Sequence, residues 1–215
     1  MFFYKFKTLP LIFIFNAKCG CTTIENIIND VDNLFDTKEY FDVHKHKDKF
    51  INITPAELCE NTTHHVIFFV RNPYHRFLSG YTKIKNKLIL KIRFDDSKTI
   101  RQCNELVKDA NVNVEEWAEI VSNISYNNIE RHFKPQTCSI VQYLQDHKEV
   151  IVYDIEELSN LKVFLHEKFD ITIDCDIHAK YNLKKHEPSD KIKELVYEYY
   201  KDDFELLNYS KEFPK

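Results

Sequence analysis

The chain has 215 residues, enough for one domain with a full apolar core and no dependence on disulfides or a structural metal. Its 34 acidic and 30 basic residues are spread along the sequence and leave a formal charge of −4. That balance excludes a polyanion-coating surface, and with it nucleic acid as a partner, so any anion site must be local.

The first element is an apolar strand over residues 10–15, Pro10-Leu-Ile-Phe-Ile-Phe15. The apolar run is too short to span a bilayer and lacks a small-residue cleavage site, so it reads as a buried strand rather than a membrane segment or a signal peptide. The expected location is therefore cytoplasmic, with a Golgi-lumenal one as the alternative for a trimmed catalytic domain. The six cysteines, at 19, 21, 59, 103, 138 and 175, accordingly read as free thiols. Asn-x-Ser/Thr sequons at Asn52, Asn61, Asn123 and Asn208 read as chance in an Asn-rich sequence.

After a polar knuckle, Ile24, Ile27, Ile28, Val31 and Leu34 form one apolar stripe and predict a helix. The arrangement repeats. His65 to Val70 is a continuous apolar run suited to a strand buried on both faces. Asn72 then serves as N-cap and Pro73 as first helical residue, with Tyr74, Phe77, Leu78, Tyr81, Ile84 and Leu88 at helical spacing. Further on come a helix over Val114 to Ile124, a strand over Glu149 to Tyr153, and a helix over about Glu156 to Lys168. A closing amphipathic helix runs from Ser189 or Asp190 to Phe204. With no linker, repeat or low-complexity tract, residues 1–215 read as a single domain. Alternating strands and helices predict an α/β, P-loop-like fold, its mostly parallel central sheet flanked by helices on both faces. Ligands of such sheets lie beyond the carboxyl ends of the strands, at a switch point.

Both candidate sites fall at such strand ends. In Asn16-Ala17-Lys18-Cys19-Gly20-Cys21-Thr22-Thr23, Lys18 supplies a point charge. Gly20 admits close approach of the backbone, and Thr22 and Thr23 add hydroxyls beside the unpaired amides of a helix start, an arrangement suited to phosphate or sulfate. At the second strand end, Arg71 can fork onto an oxyanion and Ser79 can add a hydroxyl two turns along the helix. His75 and Arg76 on the same stretch read as solvent-facing or helix-pairing residues. Average usage would place roughly 15 glycines in a chain of this length, and it has only Gly20 and Gly80, one in each segment. A glycine that survives such scarcity marks a backbone with no room for a Cβ.

Together these segments resemble the carbohydrate sulfotransferases that use 3′-phosphoadenosine 5′-phosphosulfate (PAPS), the Golgi-type enzymes and their microbial or viral relatives. Asn16 to Thr23 is similar to the family's 5′-phosphosulfate loop, Pro-Lys-x-x-x-Thr. Phe69 to Tyr81 is similar to its 3′-phosphate segment, Val-Arg-Asp-Pro-x-x-Arg-x-x-Ser-x-Tyr. Arg131-His132-Phe133-Lys134-Pro135-Gln136 resembles the family's His-aromatic-x-Pro-Gln segment, and Tyr199 to Tyr209 its closing helix. Asn16 replaces a common proline and Asn72 the usual aspartate; neither change removes a donor-site charge.

The resemblance implies in-line sulfuryl transfer from PAPS to a glycan hydroxyl, with no metal required. Lys18, Cys19, Gly20, Cys21, Thr22, Thr23, Arg71 and Ser79 would bind the donor, and Lys18 would steady the leaving oxygen. The expected base is a histidine: His46, with His44 beside it, where uronyl 2-O-sulfotransferases place a His-x-His, and then His132. His64 and His65 read as structural. A P-loop kinase would need Gly-x-x-x-x-Gly-Lys-Ser/Thr, which is missing. A zinc or redox module would have to use the tight Cys19-x-Cys21 pair with His44-x-His46. An inactive glycan-binding relative is the third alternative.

Overall fold

The structure is a computed structural model that describes residues 1–34, 53–60, 63–89, 112–129, 131–139, 150–173 and 187–214. Its strands are β1 (Phe2–Lys5), β2 (Leu11–Phe15), β3 (His65–Val70) and β4 (Val150–Asp154). Its helices are α1 (Cys21–Asp32), α2 (Pro55–Glu60), α3 (Pro73–Ile89), α4 (Val114–Ser122), α5 (Ser159–Phe169), α6 (Asp190–Tyr199) and α7 (Lys201–Leu206). One-turn 3-10 segments stand at Thr137–Ser139 and Ile155–Glu157. The chain forms two compact units, Met1–Arg71 with Ile140–Tyr181, and Asn72–Ser139 with Asn182–Lys215.

The first unit is built on a sheet of order β1-β2-β3-β4, antiparallel between β1 and β2 and parallel elsewhere. The α/β, mostly parallel architecture expected from the sequence is therefore present. Register puts Tyr4 opposite Phe13, Phe13 opposite Ile67, and Phe15 opposite Phe69, so these side chains share one face. That face packs on Ile24, Ile27 and Ile28 of α1 and Leu161 and Leu165 of α5. Each such side chain contributes about 1.5–3 kcal/mol when fully buried. Ile12, Ile14, Val66 and Phe68 point to the opposite face and are equally buried, which explains why β2 and β3 read as unbroken apolar runs.

Two differences from the sequence reading have physical causes. Strand β1 was not foreseen, because Phe2-Phe3-Tyr4-Lys5 has no alternation of its own and becomes a strand through pairing with β2. Among the described strands the order runs one way without reversal. The ligand end is thus defined by the shared carboxyl ends of parallel neighbours rather than by a switch in strand order. No helix among the described residues is long and apolar enough to cross a membrane.

In the second unit α3, α4 and α6 pack around Tyr74, Phe77, Trp117, Val121, Ile192 and Val196. Their starts are set by side chains. Asn72 Oδ1 accepts from Tyr74 N at 3.0 Å, as its predicted N-cap role requires. Asn113 and Glu116 form a reciprocal capping box on α4. Ser189 caps α6. The closing helix, expected as one piece, is broken at Tyr200 (φ −106°, ψ 25°), after which α7 begins. The break turns Tyr200 and Asp203 inward, where both are buried.

Each glycine meets a neighbour within its own unit. Gly20 has φ 71°, and a Cβ there would overlap the Ile155 side chain; a Cβ at Gly80 would press on the Phe133 ring. Gly20→Ala is expected to lower stability by about 1–2 kcal/mol from the left-handed backbone alone, and further through Ile155. In urea unfolding, the Gly20→Ala/Ile155→Ala double variant should lose less than the sum of the two single losses; full additivity would show that the contact is not felt.

Candidate anion-binding site

The site begins where β2 leaves the sheet. Cys19 N donates to Asn16 O at 3.1 Å, closing a tight turn with Lys18 at its third position. Lys18 itself has φ 70°. A left-handed conformation costs a non-glycine residue roughly 1–2 kcal/mol, and such strain concentrates at functional sites. Gly20, also left-handed, is the N-cap of α1 and offers no side chain to the first turn; that turn contains no acidic residue. Helix α1 therefore presents its positive end and amides of its first turn without a side-chain cap, the arrangement that binds oxyanions.

Two neighbouring strand ends add to this arrangement. Arg71, one residue beyond β3, donates from Nη1 to the Lys18 carbonyl at 3.2 Å. Its Nε lies 3.4 Å from Glu156 Oε1, on the 3-10 turn after β4. The sequence-predicted residues Lys18 to Thr23 and Arg71 are thus brought together, and Glu156 joins them unforeseen. Pairing of Val70 with Asp154 across β3 and β4 is what places Glu156 there.

The two cysteines have distinct places. Cys19 is completely buried. The Cys21 thiol donates to Asn16 O at 3.2 Å and so ties the first helical residue back to the turn. Burial, then the nearby Glu25 carboxyl and Cys19, push Cys21 up to about 12, so it stays a thiol at neutral pH. A metal or redox centre would need the thiolate. Cys19, Cys21 and Cys138 form no disulfide among the described residues, and no group of three or more His, Cys, Asp or Glu side chains there could hold a metal.

Ser79 and His132 belong to the second unit. Ser79 is half-buried on α3. His132 is buried, and its carbonyl lies where a Gly80 Cβ would come to 3.4 Å. His44 and His46 lie outside the described residues. His65 sits edge-on to Phe164 and Phe169, as a structural histidine would. The reading of His75 and Arg76 as solvent-facing is corrected: they are only 3% and 1% exposed. The reason is local packing in the second unit. His75 stacks edge-on against Phe213, and Arg76 Nη2 donates to Arg131 O at 3.4 Å while its charge acts on Asp203.

An uncapped helix start behind a strained turn, with an arginine bonded to that turn from the next parallel strand, is an arrangement suited to an oxyanion in an α/β protein. The chain belongs to the sulfotransferase family, whose model matches residues 3–210. The general chemistry is therefore sulfuryl transfer, and the chain is a sulfotransferase-type enzyme. No curated protein and no solved structure matches it significantly.

Sequence reasoning also passed over Glu25, which lies on α1 with 2% exposure and an Oε2 that has no hydrogen-bond partner. Burial raises its carboxyl from the ordinary 4.5 to about 8. Between those values the folded chain keeps a proton that the unfolded chain releases, so this group's contribution to stability falls as pH rises from 4.5 to about 8. The slope approaches ~1.4 kcal/mol per pH unit. Glu25→Gln should flatten it, gaining on the wild type in denaturant midpoint between pH 5 and pH 8; an unchanged pH slope would contradict the burial of a titrating carboxyl.

Proposed function

We propose that the chain moves the sulfuryl group of PAPS to a hydroxyl of a carbohydrate or glycan, and that residues 1–215 act as one sulfotransferase domain. The observation that supports this most directly is the Asn16–Thr23 turn. Its strained lysine, whose carbonyl accepts a hydrogen bond from Arg71, leads through a glycine N-cap into an uncapped helix start, and Arg71 is the residue that matches the family's 3′-phosphate arginine.

In this reading the 5′-phosphosulfate lies at the amides following Gly20, with Thr22 and Thr23 beside it. Lys18 places its ammonium at the bridging oxygen. The acceptor oxygen attacks sulfur in line, forming the new S–O bond as the bond to the 5′-phosphate breaks, and the leaving oxygen departs with 3′-phosphoadenosine 5′-phosphate. The charge developing on that oxygen is what Lys18 stabilises, as donors and cations do in phosphoryl transfer. Arg71 takes the 3′-phosphate. The acceptor's proton goes to a histidine, drawn from His46, His44 and His132. No step calls for a divalent metal.

The test has a binding part and a turnover part. 3′-Phosphoadenosine 5′-phosphate without magnesium should raise the melting temperature, whereas ATP with magnesium should not; the reverse would favour a kinase. Transfer of labelled sulfate from PAPS to a panel of glycans should fall about 10²-fold or more in Lys18→Ala. Full activity in that variant would sink the mechanism.

A further inference from the structure

The turn that follows β4 meets the Asn16–Thr23 segment in two places, and the donor chemistry uses neither contact. Asp154, opposite Val70 in the pairing of β3 with β4, caps this turn, its Oδ1 accepting from Glu156 N at 2.8 Å. The cap fixes the backbone that carries the next two side chains. Ile155 lies against Gly20, in the space a Cβ there would need. Glu156 reaches Arg71 instead: Arg71 Nε donates to Glu156 Oε1 at 3.4 Å, while Arg71 Nη1 donates to the Lys18 carbonyl at 3.2 Å. All of these residues belong to the first unit.

As an ion pair the contact is weak. It is a single bond at 3.4 Å between side chains 12% and 23% exposed, and pairs of that kind contribute little to stability. Beside an anion site a carboxylate is also unfavourable by charge, since it repels the ligand. Its value lies in geometry. A guanidinium is a rigid planar fork, and one bond at Nε with another at Nη1 fixes both its plane and its rotation. The same two bonds carry the position of the capped turn to the carbonyl of Lys18, the residue held at φ 70°. A strained conformation persists only where its surroundings over-determine it.

We propose that Glu156 is a positioning residue of the donor site: acting through Arg71, it holds the guanidinium in the orientation that receives the 3′-phosphate and against the carbonyl of the strained turn. This rests on the reading of Arg71 given above. The part Glu156 plays is to accept a hydrogen bond at a fixed place, and its charge is secondary.

The experiment measures, by calorimetry on the full chain without magnesium, the affinity for 3′-phosphoadenosine 5′-phosphate and for adenosine 5′-phosphate, which lacks the 3′-phosphate. Glu156→Ala should weaken the first ligand at least about 10-fold and the second less than about 3-fold, while the melting temperature stays within a few degrees. Glu156→Gln keeps an oxygen that accepts from Arg71 Nε and should recover most of that loss. Arg71→Ala should itself weaken the first ligand, and adding Glu156→Ala to it should bring no further loss, since both changes act through one guanidinium. Unchanged or tighter binding in Glu156→Ala, equal losses for the two ligands, a Gln variant as weak as the Ala variant, or losses that multiply with Arg71→Ala would overturn the proposal. A wild type that binds the two ligands equally would refute Arg71 as the 3′-phosphate arginine, and the positioning role would fall with that reading.

Discussion

The parallel pairing of β2 with β3, with Phe15 opposite Phe69, is the constraint on which the first unit's site depends. Parallel neighbours end on the same side of a sheet, so the turn after β2 and Arg71 after β3 emerge side by side. Pairing of β3 with β4 adds Glu156 to the same edge. A slip of one residue would send Phe13 and Phe69 to the wrong face and separate these ends. The aromatic face shared by β1, β2 and β3, with Phe13 and Phe69 edge-to-face at 4.8 Å, therefore fixes the register that aligns the candidate anion site.

Around that edge the molecule accepts local costs. Lys18 is held left-handed, Gly20 lies against Ile155, and Glu25 keeps a partnerless carboxyl oxygen in the interior of α1's flank. The hydrogen bonds of Cys21 and Arg71 to the turn hold it in this form. In the proposed reading, a turn already closed requires less ordering when an anion arrives, which converts folding free energy into preorganisation. A carboxyl that is mostly protonated at neutral pH also spares the site a negative charge near its helix start.

The second unit reaches rigidity by another route. Its apolar core of Tyr74, Phe77, Trp117 and Val196 orders the helices, but an irregular segment such as 131–137 has no repeating hydrogen bonds of its own to define it. Asp203, Tyr200 and Arg76 supply them from helices on either side. The break between α6 and α7 at Tyr200 belongs to this arrangement, since it turns both Tyr200 and Asp203 toward the segment they hold.

Much of this was legible in the residues. The apolar runs of β2 and β3, the Asn72 cap, the helical stripes and the two glycines each report local or two-faced burial, and the Asn16–Thr23 and Phe69–Tyr81 segments carried the family resemblance. β1 was not legible because its strand character is borrowed from β2. Arg76 and His75 looked like surface residues because a charged or titratable side chain inside a helix usually faces water, and only a distant acidic partner or ring justifies burying it. The same holds for Glu156 and Asp203, whose roles depend on residues 85 and 67 positions away along the chain. Local chemistry thus determined which segments could bind an oxyanion, through the residue types at each strand end. Tertiary structure alone decided which charges were buried and which backbone they hold, because that depends on pairings between residues far apart in sequence.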